Sequence, residues 1–250
     1  MIRPFPVPTI AVFVHGAGAG GWEWNIWARV FVADSFEVLT RDLAPDAQGL
    51  AATRFSDYRD QVVQWCTDAA ARRDPVRIVL VGASLGGLLC LSVASQCAVS
   101  ALVLVNPMPP AGVLACPLGD PQAGIVPWGS RRSISSTRRA MPDADAAARQ
   151  YAYERWRDES GDVLEQARVG VTVDLPRCPT LILASERDDD VPAMASRALA
   201  LRCRADFELL AGASHVGPLL GTSAAATAHQ ATRWLQRRLP CPTSESLTTV

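Results

Sequence analysis

A serine between glycines is the first feature of the chain that could do chemistry. Gly82-Ala83-Ser84-Leu85-Gly86 fits the pattern G-x-S-x-G, with an apolar run, Val76–Val81, before it and an apolar helical pattern, Leu85–Gln96, after it. A serine on such a sharp strand-to-helix turn is exposed on a strained backbone, and the glycines let strand and helix pack closely. The context predicts that Ser84 is a nucleophile. The alternative is a glycine-rich turn with an incidental serine.

Three consecutive aspartates and a histidine each follow a later apolar run. The aspartates, which are Asp188, Asp189 and Asp190, come after the apolar run Leu181–Ala184. His215 comes after the run that ends at Leu210. Because the carboxyl ends of parallel strands meet at one edge of a sheet, an aspartate, His215 and Ser84 are expected at the same edge. The chain order serine, acid, histidine suits a site in which the histidine takes the serine's proton and the acid orients the histidine.

The chain has three histidines, which narrows the choice of base. His15 lies in a glycine-rich loop, and His229 lies in an alanine-rich helical pattern near the C-terminus. His229 is expected to be a surface or helix-packing residue. His215 is therefore the histidine placed to act as a base.

A glycine-rich loop, His15–Trp22, follows the first apolar run. Such a loop can point a backbone N–H at a developing oxyanion with no side chain in the way. A phosphate-binding loop is the alternative, but the loop does not form the G-x-G-x-x-G turn into a helix with an acidic residue about 20 positions on. The loop is interpreted as an oxyanion loop.

Composition excludes several classes of function. The 24 basic residues, all arginine, nearly balance 25 acidic ones, so charge gives no reason to expect nucleic acid or an anionic membrane as partner. Without lysine, Schiff-base chemistry, a lysine base and the P-loop lysine are all excluded. The seven scattered cysteines form no metal-ligand spacing or disulfide framework, and no stretch is apolar enough to span a bilayer. We expect no metal and no cofactor, and a cytoplasmic location.

Short apolar runs alternate with helical patterns along the chain, which predicts an α/β fold with a mostly parallel sheet and helices on both faces. One helix is expected to begin at a Ser56 cap, and two more are expected over Leu85–Gln96 and Ser223–Leu239. The tail, Pro242–Val250, is expected to be frayed. The six expected strands are Ile10–Val14, Phe36–Thr40, Val76–Val81, Ala101–Val105, Thr180–Ala184 and Asp206–Leu210.

One region, Pro107–Pro176, interrupts the alternation and shows no strand pattern. It begins rich in proline and glycine and then turns helical across Asp145–Glu159 and Val163–Val169. A structureless loop of this length inside a compact domain is unusual. We therefore expect a single domain, residues 1–250, with a small helical cap inserted at residues 107–176.

Taken together, these motifs resemble those of the α/β-hydrolase superfamily over essentially the whole chain outside the cap. The oxyanion loop resembles that of compact six-stranded members, plant esterases and hydroxynitrile lyases among them. The resemblance implies that the acid lies four residues before the proline of a D-x-x-V-P segment, which selects Asp188 over its two neighbours. It also implies that the amides of Ala17 and Leu85 form the oxyanion hole and that His15 is structural.

The activity implied is hydrolysis of a carboxylic ester or thioester through an acyl-enzyme, with a small-molecule acyl substrate. Hydroxynitrile lyases of this kind need a lysine beside the histidine and a threonine in the loop, where this chain has Val216 and Gly16. Perhydrolases commonly have methionine where Leu85 stands. Another reaction on the same triad and a ligand-sensing role remain the alternatives.

Substrate contacts are expected from the cap and from the neighbour of the base. Trp128 and Val216 are the candidates. Five apolar cap residues could line a pocket, and a plain packing role is the alternative for each; they are Met108, Trp128, Met141, Tyr151 and Trp156.

Overall fold

Six parallel strands form the central sheet of the computed structural model, which describes residues 7–114 and 124–239. The strands are β1 (Thr9–Val14), β2 (Glu37–Thr40), β3 (Arg77–Ala83), β4 (Val99–Val105), β7 (Thr180–Ser185) and β8 (Asp206–Leu210), with β5 (Ile125–Val126) and β6 (Glu159–Ser160) outside the sheet. Their order is β2-β1-β3-β4-β7-β8. All six predicted strands are confirmed, since parallel strands covered on both faces are continuous apolar runs.

Helices cover both faces of the sheet. They are α1 (Asn25–Ala33), α2 (Phe55–Ala70), α3 (Leu85–Val93), α4 (Ile134–Ala140), α5 (Ala146–Tyr153), α6 (Gly161–Val169), α7 (Ala193–Cys203), α8 (Gly217–Leu220) and α9 (Ala224–Arg238). Along β1, Ile10 and Val12 face the core shared with α2 and α3, whereas Phe13 faces the core shared with α1 and α9. This alternation of side chains gives the sheet an apolar layer on each face, so the predicted fold class is confirmed.

Several helix ends differ from the predictions. Helix α2 begins at Phe55 and not after a Ser56 cap, because Asp57 Oδ2 accepts the backbone N–H of Arg54 at 2.7 Å and closes the turn one residue earlier. Helix α3 ends at Val93, three residues before Gln96, and α9 matches its prediction within one residue at each end. The predicted tail, Pro242–Val250, lies outside the described residues.

Residues 107–176 contain a short antiparallel ladder that the sequence did not predict. Strands β5 and β6 pair Ile125 with Ser160 and Val126 with Glu159. Two residues per strand are too few to produce a visible alternation. The helix expected over Asp145–Glu159 is shorter, Ala146–Tyr153, with Asp145 accepting the N–H of Ala148 at 2.7 Å as its cap. Part of the proline- and glycine-rich entry, including Pro117, Gly119 and Pro121, lies outside the described residues.

No helix within residues 7–114 and 124–239 has both the length and the apolar character needed to cross a membrane. The thiols of the five cysteines described there are free; they are Cys66, Cys90, Cys97, Cys178 and Cys203.

Residues around β6 attach the inserted region to the oxyanion loop. Arg157 donates its backbone N–H to Gly18 O at 2.8 Å, and Glu159 Oε2 accepts the backbone N–H of Gly18 at 2.9 Å. The other oxygen of Glu159 accepts the hydroxyl of Tyr58 and the N–H of Ser160, both at 2.8 Å. Glu159 is only 3% exposed, so one buried carboxylate satisfies three donors from three parts of the chain.

Replacing Glu159 by alanine should therefore destabilise the protein. The change leaves three donors without an acceptor, and each unsatisfied buried group costs about 1–3 kcal/mol, so we expect a loss of about 3 kcal/mol or more. Urea unfolding with an unchanged m-value measures it. The matched control is Glu154→Ala, at an exposed ion pair with Arg155, which should change the free energy of unfolding by less than about 0.5 kcal/mol. Equal effects in the two variants would contradict the assignment.

Candidate active site

Ser84 occupies a strained turn between β3 and α3. Its backbone has φ 50° and ψ −117°, in the left-handed region that side chains rarely adopt. A Cβ on Gly82 would overlap the carbonyl oxygen of Gly86, and a Cβ on Gly86 would overlap that of Val14. Backbone bonds fix the turn: the N–H of Ser84 donates to Val105 O at 3.0 Å. The two glycines are therefore required by close packing, as the sequence predicted.

Asp188 and His215 lie side by side at the carboxyl edge of the sheet. The imidazole Nδ1 donates to Asp188 Oδ2 at 2.7 Å. The other oxygen, Oδ1, accepts the backbone N–H groups of Asp190 at 2.9 Å and Val191 at 2.7 Å. Asp188 is 7% exposed, whereas the neighbouring Asp189 and Asp190 are exposed. Of the three aspartates, it is Asp188 that hydrogen-bonds to His215.

The environment of His215 raises its pKa above the ordinary 6.5. Burial opposes the charged imidazolium, but the hydrogen bond and the charge of Asp188 outweigh it, with smaller contributions from Asp190 and Glu23. The side chain keeps 17% of its surface exposed. Because Nδ1 donates to a carboxylate, Nε2 carries the lone pair and is the atom able to accept a proton.

The hydroxyl of Ser84 makes no hydrogen bond to any residue within the described ranges. The structure thus pairs Asp188 with His215, whereas the side chain of Ser84 is half-buried and forms no such pair. Hydrogen bonds to a nucleophile are often long before substrate binds and shorten in the complex with substrate.

Asn106 connects the elements that carry Asp188 and His215, and the sequence analysis did not identify it. This residue follows β4, has a positive φ of 45° and is 1% exposed. Its Nδ2 donates to His215 O at 2.8 Å and to Ser185 Oγ at 2.9 Å, and its Oδ1 accepts the N–H of Ser185 at 2.7 Å. Asn106 therefore ties the histidine loop to the end of β7. A polar residue directly after an apolar strand was the available signal.

Two buried carboxyl groups accept backbone N–H groups of the glycine-rich loop. Glu23 Oε1 accepts the N–H of Gly16 at 2.8 Å, and Glu159 accepts the N–H of Gly18. Between them, the N–H of Ala17 has no acceptor among the described residues, and neither has the N–H of Leu85. These two N–H groups are the ones predicted to form the oxyanion hole; Ala17 is half-buried, whereas Leu85 is fully buried.

The other two histidines are placed differently. His15 Nδ1 donates to Gly16 O at 2.8 Å, while its Nε2 accepts the N–H of Leu43 at 2.9 Å. Burial lowers the pKa of His15 to about 4, so the ring stays neutral and bridges two backbone segments. His229 on α9 is half exposed and lies 3.5 Å from Asp34. Neither ring has a free nitrogen next to Asp188.

Of the two candidate substrate contacts, Trp128 lies against the oxyanion loop. A Cβ on Gly18 would be 2.6 Å from Cε3 of Trp128, and this residue is 46% exposed. Val216 is half-buried beside His215 and packs on the apolar core under α1 and α9. Trp128 is thus exposed next to the loop, whereas Val216 packs on the core; the substrate contacts stay a prediction.

Asp143, in the inserted region, binds the loop that carries the histidine. Its Oδ1 accepts the hydroxyl of Ser214 at 2.5 Å, and its Oδ2 accepts the N–H of Ser214 at 2.9 Å. Its backbone oxygen accepts the N–H of Thr222 at 3.3 Å. The residue before His215 is therefore held by a side chain more than 70 positions upstream.

Asp188, Asp190 and His215 also form a group whose ligand atoms all lie within 4.8 Å of one another. Carboxylates and imidazole are common metal ligands. The oxygens of Asp188 are already committed, however, one to two backbone N–H groups and the other to Nδ1. These hydrogen bonds suit an acid that orients a histidine better than a metal ligand.

Comparison with known proteins places the chain in one family. The model of the alpha/beta hydrolase family matches residues 11–230, and the chain belongs to that family. No curated protein matches its sequence.

Solved structures of similar fold include polyneuridine aldehyde esterase, at 15% identity and a TM-score of 0.69, covering 91% of this chain and 99% of that one. The methylesterase MES16 from Arabidopsis is similar at 14% identity and a TM-score of 0.70, covering 90% and 98%. A pyrethroid hydrolase from Sphingobium faniae JZ-2 is similar at 19% identity and a TM-score of 0.66, covering 92% and 98%. At these identities the likeness shows a common fold.

Asparagine substitutions at the three aspartates should separate their roles. Asp188→Asn should lower kcat by about 10³- to 10⁴-fold, because the wrong imidazole tautomer is then favoured. Asp189→Asn and Asp190→Asn should each cost less than about tenfold, since both side chains are exposed. Kinetics on one p-nitrophenyl ester, with circular dichroism to check folding, measure this. A greater loss at Asp189 or Asp190 would contradict the assignment.

Proposed function

We propose that the protein is a serine hydrolase that cleaves a carboxylic ester or thioester of a small acyl substrate. The observation that carries the proposal is the 2.7 Å hydrogen bond from His215 to the buried Asp188, at the sheet edge where Ser84 stands on its strained turn. Membership of the alpha/beta hydrolase family and the esterases among the structural neighbours support it.

The proposed mechanism has two steps of acyl transfer. In the first, Ser84 Oγ attacks the acyl carbon while Nε2 of His215 takes the hydroxyl proton. Asp188 stabilises the imidazolium that forms. The N–H groups of Ala17 and Leu85 bind the oxyanion, a contribution of about 3–4 kcal/mol per donor. The bond to the alcohol or thiol then breaks, and the leaving group takes the proton from His215.

In the second step, water replaces the leaving group. His215 takes a proton from the water as its oxygen attacks the acyl carbon of the ester on Ser84. The bond between that carbon and Ser84 Oγ breaks, and His215 returns the proton to the serine. The acid is released and the site regains its starting state, so no cofactor takes part in the cycle.

Covalent labelling should identify the nucleophile. A fluorophosphonate probe should label the wild-type protein, and Ser84→Ala should abolish both labelling and ester turnover, because the proposed bond forms at this oxygen. Intact-mass spectrometry measures the label, and p-nitrophenyl esters of different acyl lengths and acyl thioesters measure turnover. Labelling that survived in Ser84→Ala would refute the assignment. A plateau at about one product per chain would favour a ligand-sensing role.

The pH profile should report the ionisation of His215. The imidazole must be neutral to accept a proton, and its pKa is raised, so activity should rise with pH through a midpoint above 6.5. Asp188→Asn removes the main group that stabilises the imidazolium, so the remaining activity should rise through a lower midpoint. Initial rates at saturating ester give both midpoints. A midpoint that moved upward in Asp188→Asn would contradict the proposed pairing.

A further inference from the structure

Glu23 is a buried acid that the proposed mechanism does not use. It lies in a 3₁₀ turn, Gly21–Trp24, directly after the oxyanion loop, and is 3% exposed. The sequence shows it as a lone acid between two tryptophans, Trp22 and Trp24. A carboxyl group in such a place is costly unless it is paired or protonated. It therefore calls for a physical explanation.

The carboxyl group lies beside the reacting groups. Its Oε1 accepts the N–H of Gly16 at 2.8 Å, and Gly16 directly precedes Ala17, whose N–H is the proposed oxyanion donor. A Cβ on Gly16 would be 3.4 Å from Cβ of Ser84 and 3.9 Å from Oε1 of Glu23. Gly16 therefore lies next to both the acid and the proposed nucleophile.

The turn that carries Glu23 packs against β1, β2, α1 and α8. The titratable or charged groups on or next to these elements, and on the inserted region beside the loop, are His15, Arg29, Asp34, Glu37, Arg41, Asp42, Asp143, Tyr151, Arg157, Glu159 and His215. Burial raises the pKa of Glu23 to about 8; the bond from Gly16 and the charge of His215 lower it by less. No arginine within the described residues forms an ion pair with this carboxyl group.

We propose that Glu23 is a positioning acid of the esterase site. In its protonated form it holds the Gly16–Ala17 amide segment in place, and loss of the proton slows acyl transfer. The inference rests on the proposed function. A protonated carboxyl group still offers an oxygen to the N–H of Gly16, so the loop is held without a buried charge. It acts through the loop and does not touch the reacting atoms.

Ionised Glu23 should oppose the reaction because of where charge develops. The imidazolium of His215 is already compensated by Asp188 and Asp190, so a third anion adds little stabilisation. The oxyanion is held by neutral N–H groups alone, and a negative charge one amide away destabilises it. At separations of several ångströms in a partly buried site, such a charge lowers the rate by about 10- to 100-fold.

The test is the kcat profile from about pH 6 to about pH 10. The kcat of the wild type should rise as His215 loses its proton and should fall again as Glu23 ionises near pH 8. Glu23→Gln keeps an oxygen for Gly16 but cannot ionise, so it should retain neutral-pH activity and lose the alkaline fall. Glu23→Ala removes the acceptor and should lower kcat at every pH, with KM changed less.

The matched control is Glu208→Gln, at an exposed position on β8, which should keep the alkaline fall. An alkaline fall unchanged in Glu23→Gln, or full activity in Glu23→Ala, would overturn the proposal.

A second measurement is independent of ester turnover. In protein labelled with ¹³C at the glutamate carboxyl carbons, one signal should titrate near pH 8, persist in Ser84→Ala and vanish in Glu23→Gln. A Glu23 signal that titrated in the ordinary carboxyl range would refute the protonated state. If the wild type neither turned over esters nor reacted with a fluorophosphonate, the proposed function would fail, while the titration would still decide whether Glu23 holds a proton.

Discussion

The first turn of α3 rests directly on the backbone at the end of β1. A Cβ on Gly86 would overlap the carbonyl oxygens of both Val14 and His15, so helix and strand meet without any side chain between them. The oxyanion loop begins at this contact. The distance between Ser84 and the N–H of Ala17 therefore depends on backbone packing, which varies less than a side-chain rotamer. Any larger residue at Gly86 would move Ser84 away from the loop.

Buried carboxyl groups are the second constraint on this edge of the sheet. Asp188, Glu23 and Glu159 each accept at least one backbone N–H, and all three are less than 10% exposed. Bonds of this kind are what allow acids to be buried at acceptable cost. Asp188 lies next to the imidazole, where a negative charge is useful. Glu23 and Glu159 instead accept the N–H groups of Gly16 and Gly18 in the loop.

The sequence predicted the sheet well because its strands are buried on both faces and stand out as continuous apolar runs. It also placed Ser84, an aspartate and His215 at one edge, since each follows a strand. It did not reveal Glu159, whose bond to Gly18 joins positions 141 residues apart. Asn106 was missed because its partners, Ser185 and His215, are 79 and 109 positions away. The partner of Glu23 is only seven positions away, but its burial depends on tertiary packing. The ladder of β5 and β6 was too short to leave a periodic pattern.

The bond between Asp143 and Ser214 has a consequence for how this protein can diversify. The inserted region does not simply cover the sheet edge, because it also holds the residue next to His215, and a Cβ on Gly217 would collide with the same carboxylate. A foreign insertion grafted onto this sheet would leave Ser214 without its acceptor and the histidine loop without its support. Recombination with other members of the family should therefore succeed only when the insertion and the histidine loop are inherited together.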